Sequence, residues 1–171
     1  MRSILDYDEV NALASVSEPQ DRASDLMSIM ILAYMRGARE TADDLFWDYV
    51  EDMILLNEAL YQEKEGKTAF DRASTTDDFA RLAENEAHRM YNTGAYDCAK
   101  QCQASGASIY KTWNTMEDNR VRDTHEYIEH DSVPIGDEFY TFDGDHARYP
   151  GDFQSPENNI GCRCFITYTR R

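Results

Sequence analysis

At 171 residues, 42% hydrophobic and 29% charged, the chain is long enough for one packed domain and too apolar for wholesale disorder. Its 33 acidic and 17 basic residues leave a net charge of −16, which excludes a uniformly basic nucleic-acid binder, because neutralising phosphates takes clustered lysine and arginine. The best apolar run, Leu26 to Tyr34, falls far short of the roughly 20 residues of a membrane span; no leader peptide is legible behind Met1-Arg2, and four cysteines are too few for a disulfide scaffold.

In chain order, the first half reads as helical. From Ser17 to Gly37, Leu26, Met27, Met30, Ile31, Tyr34 and Met35 recur at three- and four-residue spacing, the pattern of an amphipathic helix. Pro19 suits its first turn, and Gly37 reads as an interruption. A second helix is expected from Glu40 to about Lys64, with Leu45, Phe46, Tyr49, Val50, Met53, Ile54, Leu56 and Leu60 apolar and Gly66 as its C-terminal cap. A third starts at Thr75 or Thr76, with Asp78 in a near capping-box position, and runs through Phe79, Leu82, Ala83, Ala87, Met90 and Tyr91 past Gly94 towards Cys102. Cys98 and Cys102, four apart on it, read as core or interface thiols.

After Gly106 the texture changes. Ser108 to Trp113 is aromatic and β-branched and reads as a strand. Met116 to Glu129 returns to helical composition. Pro134, Gly136, Gly144, Pro150, Gly151 and Pro156 then punctuate a loop-rich stretch, and Cys162 to Tyr168 alternates like a strand. The expected class is α+β: about three N-terminal helices, then a small loop-rich C-terminal domain with a short antiparallel sheet. The division falls into an acidic helical region, 1–74, and a domain over 75–171. Residues 1–80 carry a net −11 and the remainder −5, so specific chemistry is expected in the second half.

There, Lys111, Trp113, Glu117, Asp118, Arg120, Arg122, Asp123 and His125 lie close in sequence, with Cys162-Arg163-Cys164 far downstream. On a helix, Asp118 and Arg122 would pair at i,i+4. On a strand, Cys162 and Cys164 would project from one face. With His125 they form a candidate soft-ligand set for zinc, its fourth ligand open among His130, His146 and Asp123. The plain alternative is structural packing, since unpaired cysteines are often simply buried. A catalytic alternative uses His125 as general base and Arg120, Arg122 and Arg163 as phosphate holders, in a toxin-like enzyme that processes nucleic acid or nucleotide. No GxSxG, P-loop, HExxH or GxGxxG motif accompanies it.

The run Tyr110-Lys-Thr-Trp-Asn-Thr-Met-Glu-Asp-Asn-Arg-Val-Arg-Asp-Thr-His125 resembles the signature of the phage head morphogenesis, Mu F-like minor capsid protein family. Val133-Pro134, Glu138-Phe139, Pro150-Gly151-Asp152 and Cys162-Arg163-Cys164 follow in that family's order, and the helix from Glu84 to Gly94 is similar to its upstream helix. The likeness covers roughly residues 75–168. It departs at His130, where the family usually has glycine after the histidine, so His130 reads as incidental, and at Gly161, in place of a common asparagine. The resemblance implies a minor head protein of a phage or prophage, lying inside the capsid of the virion and in the host cytoplasm during assembly. Its partners would be the portal and other head proteins, with DNA nearby but no basic DNA-binding surface, no membrane and no small-molecule substrate. Its role would be in procapsid assembly or DNA packaging and ejection, without catalysis. Trp113, Val121, Phe139 and Ile166 would form the small core. Lys111, Asp118, Arg120, Arg122, His125 and Arg163 would form a polar network beside Cys162 and Cys164, around Trp113. A zinc-stabilised interaction module is the third alternative.

Overall fold

A computed structural model describes residues 7–47, 71–73 and 75–171. Its element order is α1 (Tyr7–Ser15), α2 (Arg22–Leu45), α3 (Phe79–Ala104), β1 (Ile109–Asn114), α4 (Asp123–Glu126), β2 (Ser132–Pro134), β3 (Phe139–Tyr140), β4 (His146–Ala147), α5 (Pro156–Asn159) and β5 (Phe165–Arg170). The class is α+β, helices first and small antiparallel sheets after.

Two long helices make the frame. The buried face of α2 runs Leu26, Ile29, Met30, Ala33, Tyr34, Gly37, Ala38, Thr41, Ala42 and Leu45, one stripe at three- and four-residue spacing. It lies along Ala83, Ala87, Met90, Gly94, Cys98 and Cys102 of α3. The helices run in the same sense: the Arg22 guanidinium covers the Phe79 ring at 5.3 Å near their starts, and Leu45 shares a core with Ala99 and Cys102 near their ends. They cross where two glycines meet the opposite backbone. A Cβ on Gly37 would lie 2.0 Å from the Tyr91 carbonyl oxygen, and one on Gly94 would lie 2.1 Å from that of Tyr34. Two cross-links flank this point, from Tyr34 Oη to Asp97 Oδ2 (3.1 Å) and from Tyr91 Oη to Glu40 Oε2 (2.6 Å).

The crossing corrects the expected break at Gly37. The helix runs straight through it, because the absent side chain is what lets the neighbour approach. Two boundaries change with it. The helix begins at Arg22, leaving Ser17 and Pro19 in the preceding turn, and Glu40 to Leu45 are its last turns rather than the start of a second helix. Phe46, at φ 52°, closes it in the left-handed conformation. The remainder of the expected second helix, with its proposed Gly66 cap, lies outside the described residues. Further on, Asp78 is itself the N-cap of α3 and accepts from the Arg81 amide at 3.0 Å. Helix α1 had no counterpart among the expected elements.

The main sheet has the order β2-β1-β5, all antiparallel. β1 lies at its centre with Lys111 opposite Tyr168 and Trp113 opposite Ile166. Ile109, Lys111 and Trp113 alternate inward as period two requires. They meet the last turns of α3, with Ile128, Ile135, Phe139, Phe153, Cys162, Cys164, Ile166 and Tyr168, in one continuous core. β3 and β4 form a separate two-stranded hairpin. Trp113, Phe139 and Ile166 therefore sit in the core as the sequence suggests. Val121 does not; it is half-buried on the loop after β1.

The helical expectation for Met116 to Glu129 holds only for the single turn of α4. Glu117 at φ 52° takes the chain out of helical space, and the Asp118 carboxylate caps the Arg120 amide at 3.0 Å in a local turn. The Asp118 and Arg122 side chains thus never reach i,i+4 helical register.

Candidate functional site

Trp113, fully buried at the end of β1, is the wall against which the site is built. His125 meets its edge at a centroid distance of 5.5 Å and stacks on Phe153 at 5.2 Å with an interplanar angle of 15°. Phe153 is held in turn by Asn159, whose side-chain amide pairs with both backbone groups of Phe153 (3.0 and 2.7 Å). Two aromatic rings and one amide clamp therefore fix the plane of the imidazole. So oriented, His125 Nδ1 lies 3.3 Å from Cys164 Sγ and 3.7 Å from Cys162 Sγ. All three residues are buried, at 1%, 4% and 4% exposure. Their donor atoms lie within 4.8 Å of one another.

The trio is the one expected from the sequence, but its geometry is reached differently. Cys162 and Cys164 precede β5 and lie in no strand. Their sulfurs converge because Gly161, at φ 69°, turns the chain while its amide donates to Asn85 Oδ1 of α3 at 2.7 Å. None of His130, His146 and Asp123 joins them. His130 is exposed beside Glu129 (3.2 Å), His146 pairs with Glu138 (2.9 Å) against Tyr140, and Asp123 is exposed at the start of α4. A residue missed in the sequence takes their place. His88 of α3, buried at 4%, helps to lower the Cys162 thiol. Asn92, one turn on, bonds its side-chain amide to both the ring Nε2 (3.3 Å) and the carbonyl (2.9 Å) of His88.

Electrostatically the two thiols are unequal. A hydrogen bond from Cys164 holds the Cys162 thiol well below its ordinary range against the opposing effect of burial, and His125 and His88 add to the lowering. The Cys164 thiol is raised, by that same hydrogen bond and by burial. The Trp113 indole favours the ionised form of Cys164. Among the described residues, His125 Nε2 and Trp113 Nε1 are buried polar atoms without a hydrogen-bond partner. A cavity of about 10 Å³, on the scale of one water, is lined by Met116, Val121, Gly161 and Cys164 and by Arg120, Arg122, Arg163 and His125, the set the catalytic alternative named.

Around this centre the charged residues form a fence rather than one network. Arg163 grips Asp118 through two contacts of 2.7 and 2.8 Å, which with the Arg120 amide lower the Asp118 carboxyl. The Arg120 side chain is exposed. Arg122 donates to the Ile160 carbonyl, bracing the approach to Cys162, and makes no ion pair among the described residues. Lys111 stands apart, on the core face of β1. Its Nζ donates to the Arg148 carbonyl at 2.6 Å and lies 4.9 and 5.3 Å from the Phe139 and Tyr96 ring centroids. Burial pulls this amine down to about 8.

Asp145 was not singled out in the sequence, yet it organises the loop that delivers Phe153. It accepts from the amides of His146 (2.8 Å), Gln154 (3.1 Å) and Ser155 (3.2 Å) and from Asn158 Nδ2 (2.8 Å). Burial opposes its ionisation, but the bonds from Asn158, His146, Ser155 and Gln154 outweigh it and lower the carboxyl. Chemically, the centre is a buried pair of soft sulfurs facing imidazole nitrogen. That donor set suits a metal ion or a packed core, and its burial leaves little room for a substrate.

Residues 55–167 match the family model described as Phage Mu protein F like protein. Over 84 residues the chain is 29% identical to the NAD(+)--arginine ADP-ribosyltransferase EFV of Enterococcus faecalis (strain ATCC 700802 / V583). That alignment takes in 49% of this chain and 17% of the enzyme, so the chain spans about a sixth of that relative's length. No solved structure matches the chain. No helix among the described residues is long and apolar enough to cross a membrane.

Proposed function

The chain belongs to the Phage Mu protein F like family, and on that premise we propose that it is a minor head protein that associates with the portal inside a tailed-phage procapsid. It acts there in assembly or in DNA packaging and ejection, without catalytic turnover. The observation that carries this reading is the family match over 55–167, which takes in α3, β1 to β4, the first half of β5 and the centre formed by His125, Cys162 and Cys164. The fence of charges supports it. Arg163 is engaged by Asp118, Arg122 by a backbone carbonyl, and His125 turns inward at 1% exposure. Arg120, Arg122, Arg163 and His125 border one cavity, but at about 10 Å³ it is on the scale of a water and too small to hold a phosphate. The charge of −16 favours a partner with a basic patch and repels packaged DNA.

The relative named as an arginine ADP-ribosyltransferase favours a second reading, in which the fold serves an NAD-using enzyme. Two assays separate them. Co-expression with the portal protein of the same genome should retain the chain on portal rings at low salt, and loss of retention at every salt tested would overturn the first reading. Turnover of NAD(+) by the purified chain, abolished in His125→Ala, would establish the second.

A further inference from the structure

We propose that Cys162, Cys164, His125 and His88 form a structural zinc site that ties α3, α4 and the approach to β5 to one another. Zinc takes sulfur at about 2.3 Å and imidazole nitrogen at about 2.0–2.1 Å in a tetrahedron, which places a ligating nitrogen and sulfur about 3.6 Å apart. The distances from His125 Nδ1 to the two sulfurs, 3.3 and 3.7 Å, bracket that value. These three donor atoms already share one space within 4.8 Å. The nitrogens of His88 lie outside that group of three, but the buried His88 acts on the Cys162 thiol, and we assign it as the fourth donor, brought in by a rotation of its side chain away from Asn92.

The surroundings are built for such an ion. The His125 ring is locked between Trp113 and Phe153 with Nδ1 aimed at the sulfurs, the preorganisation a ligand needs. Its Nε2 is orphaned among the described residues, and His125 lines the cavity of about 10 Å³, room for a water to satisfy that nitrogen as ligating histidines require. The Trp113 N–H, also without a partner among the described residues, favours the ionised form of Cys164 that a metal takes. A second, larger cleft of about 290 Å³ reaches Cys162 between α1 and α3 and gives an entry path.

The charge balance closes as well. Zn²⁺ takes both sulfurs as thiolates, and any proton they still carry leaves to solvent. Two thiolates then cancel the ion's double charge, so the filled centre is neutral and its burial costs little.

The test uses the full-length chain, reduced and stripped of metal, titrated with Co²⁺ and then Zn²⁺. One equivalent of Co²⁺ is expected, with the strong visible bands and the sulfur-to-cobalt charge-transfer band of a tetrahedral site, bleached by one equivalent of Zn²⁺. Cys162→Ser and His125→Ala should abolish stoichiometric binding. His88→Gln should keep the charge-transfer band, weaken the visible bands as water enters, and lower zinc affinity by on the order of tenfold or more. X-ray absorption on the zinc-loaded wild type reads the same answer if variants fail to fold, as a shell of two sulfurs and two nitrogens. A reduced wild type that retains no zinc and gives only the pale spectrum of hydrated cobalt overturns the site. A His88→Gln spectrum and affinity equal to wild type overturns the assignment of His88.

Discussion

Replacing Gly94 by alanine tests the helix crossing that carries the fold, because two effects oppose one another there. Alanine is about 1 kcal/mol better than glycine in a helix interior, so a loosely packed crossing would be stabilised. The added Cβ, however, would lie 2.1 Å from the Tyr34 carbonyl oxygen and 2.9 Å from its carbon. Both atoms are backbone of a 24-residue helix, so no side chain can swing aside. Ordinary contact begins near 3.4 Å, and α2 and α3 must part by more than an ångström along a shared face of small residues. A gap of 0.5–1 Å forfeits a quarter to a half of each dispersion contact, and overpacking of this kind costs about 1–3 kcal/mol or more. With the helix preference subtracted from the upper end, the expected net loss is about 2 kcal/mol, a fall of roughly 4–8 °C in Tm for a chain of this size. Circular dichroism melts of Gly94→Ala, Gly37→Ala and the double variant measure it, with Gly136→Ala as control, since nothing lies within 4 Å of a Cβ there. The double variant should cost little more than either single one, because the first separation makes room for the second Cβ. Unchanged or higher stability in Gly94→Ala would refute the close crossing.

Three further outcomes follow from single side chains. Lys111 has a folded value of about 8 against 10.5 unfolded, so the folded state binds fewer protons between those limits and its stability should rise with pH there. Above pH 9 the buried Cys98, pushed up to about 12, opposes this, so the clean window is pH 8 to 9. In that window the stability of wild type should gain about 1 kcal/mol relative to Lys111→Met in urea titrations; a flat difference would show the amine to be solvated. Asp145→Ala strips four donors of their acceptor and should cost about 1–3 kcal/mol at neutral pH. Because that carboxyl is lowered, its contribution is present above the unfolded value of about 3.9 and lost as pH falls through the folded one. The gap to wild type should therefore close in acid, and a pH-independent gap would contradict this. His130→Gly relieves a side chain held at φ 63° and should change stability by between nothing and a gain of about 1 kcal/mol; a loss exceeding 1 kcal/mol would give His130 a structural role that its exposure does not support.

The sequence made the architecture legible where one physical pattern dominated. The period of α2 and the alternation of Ile109, Lys111 and Trp113 survive into the fold because burial on one face enforces them. The same alternation places Lys111 in the core, although its chemistry suggests a polar network. Gly37 is illegible alone: a break and a close crossing use the same residue, and only the partner Gly94 distinguishes them. Met116 to Glu129 has helical composition, but Glu117 and Asp118 spend their local bonds on turns. At the centre, His125, Cys162 and Cys164 could be named from residue type, whereas His88 could not, since its nearness to Cys162 is a product of the Gly161 turn and the bond to Asn85. The His130 departure is legible in hindsight of geometry: a position where the family usually carries glycine has a positive φ here.

The most direct test of the account is to ask where the protein resides when particles form. Quantitative mass spectrometry of procapsids and DNA-filled heads, purified by gradient from cells producing the phage that encodes this chain, should find its peptides sedimenting with the heads at a few copies per portal ring. Recovery of those peptides only from the soluble fraction, with heads assembled normally without them, would contradict it.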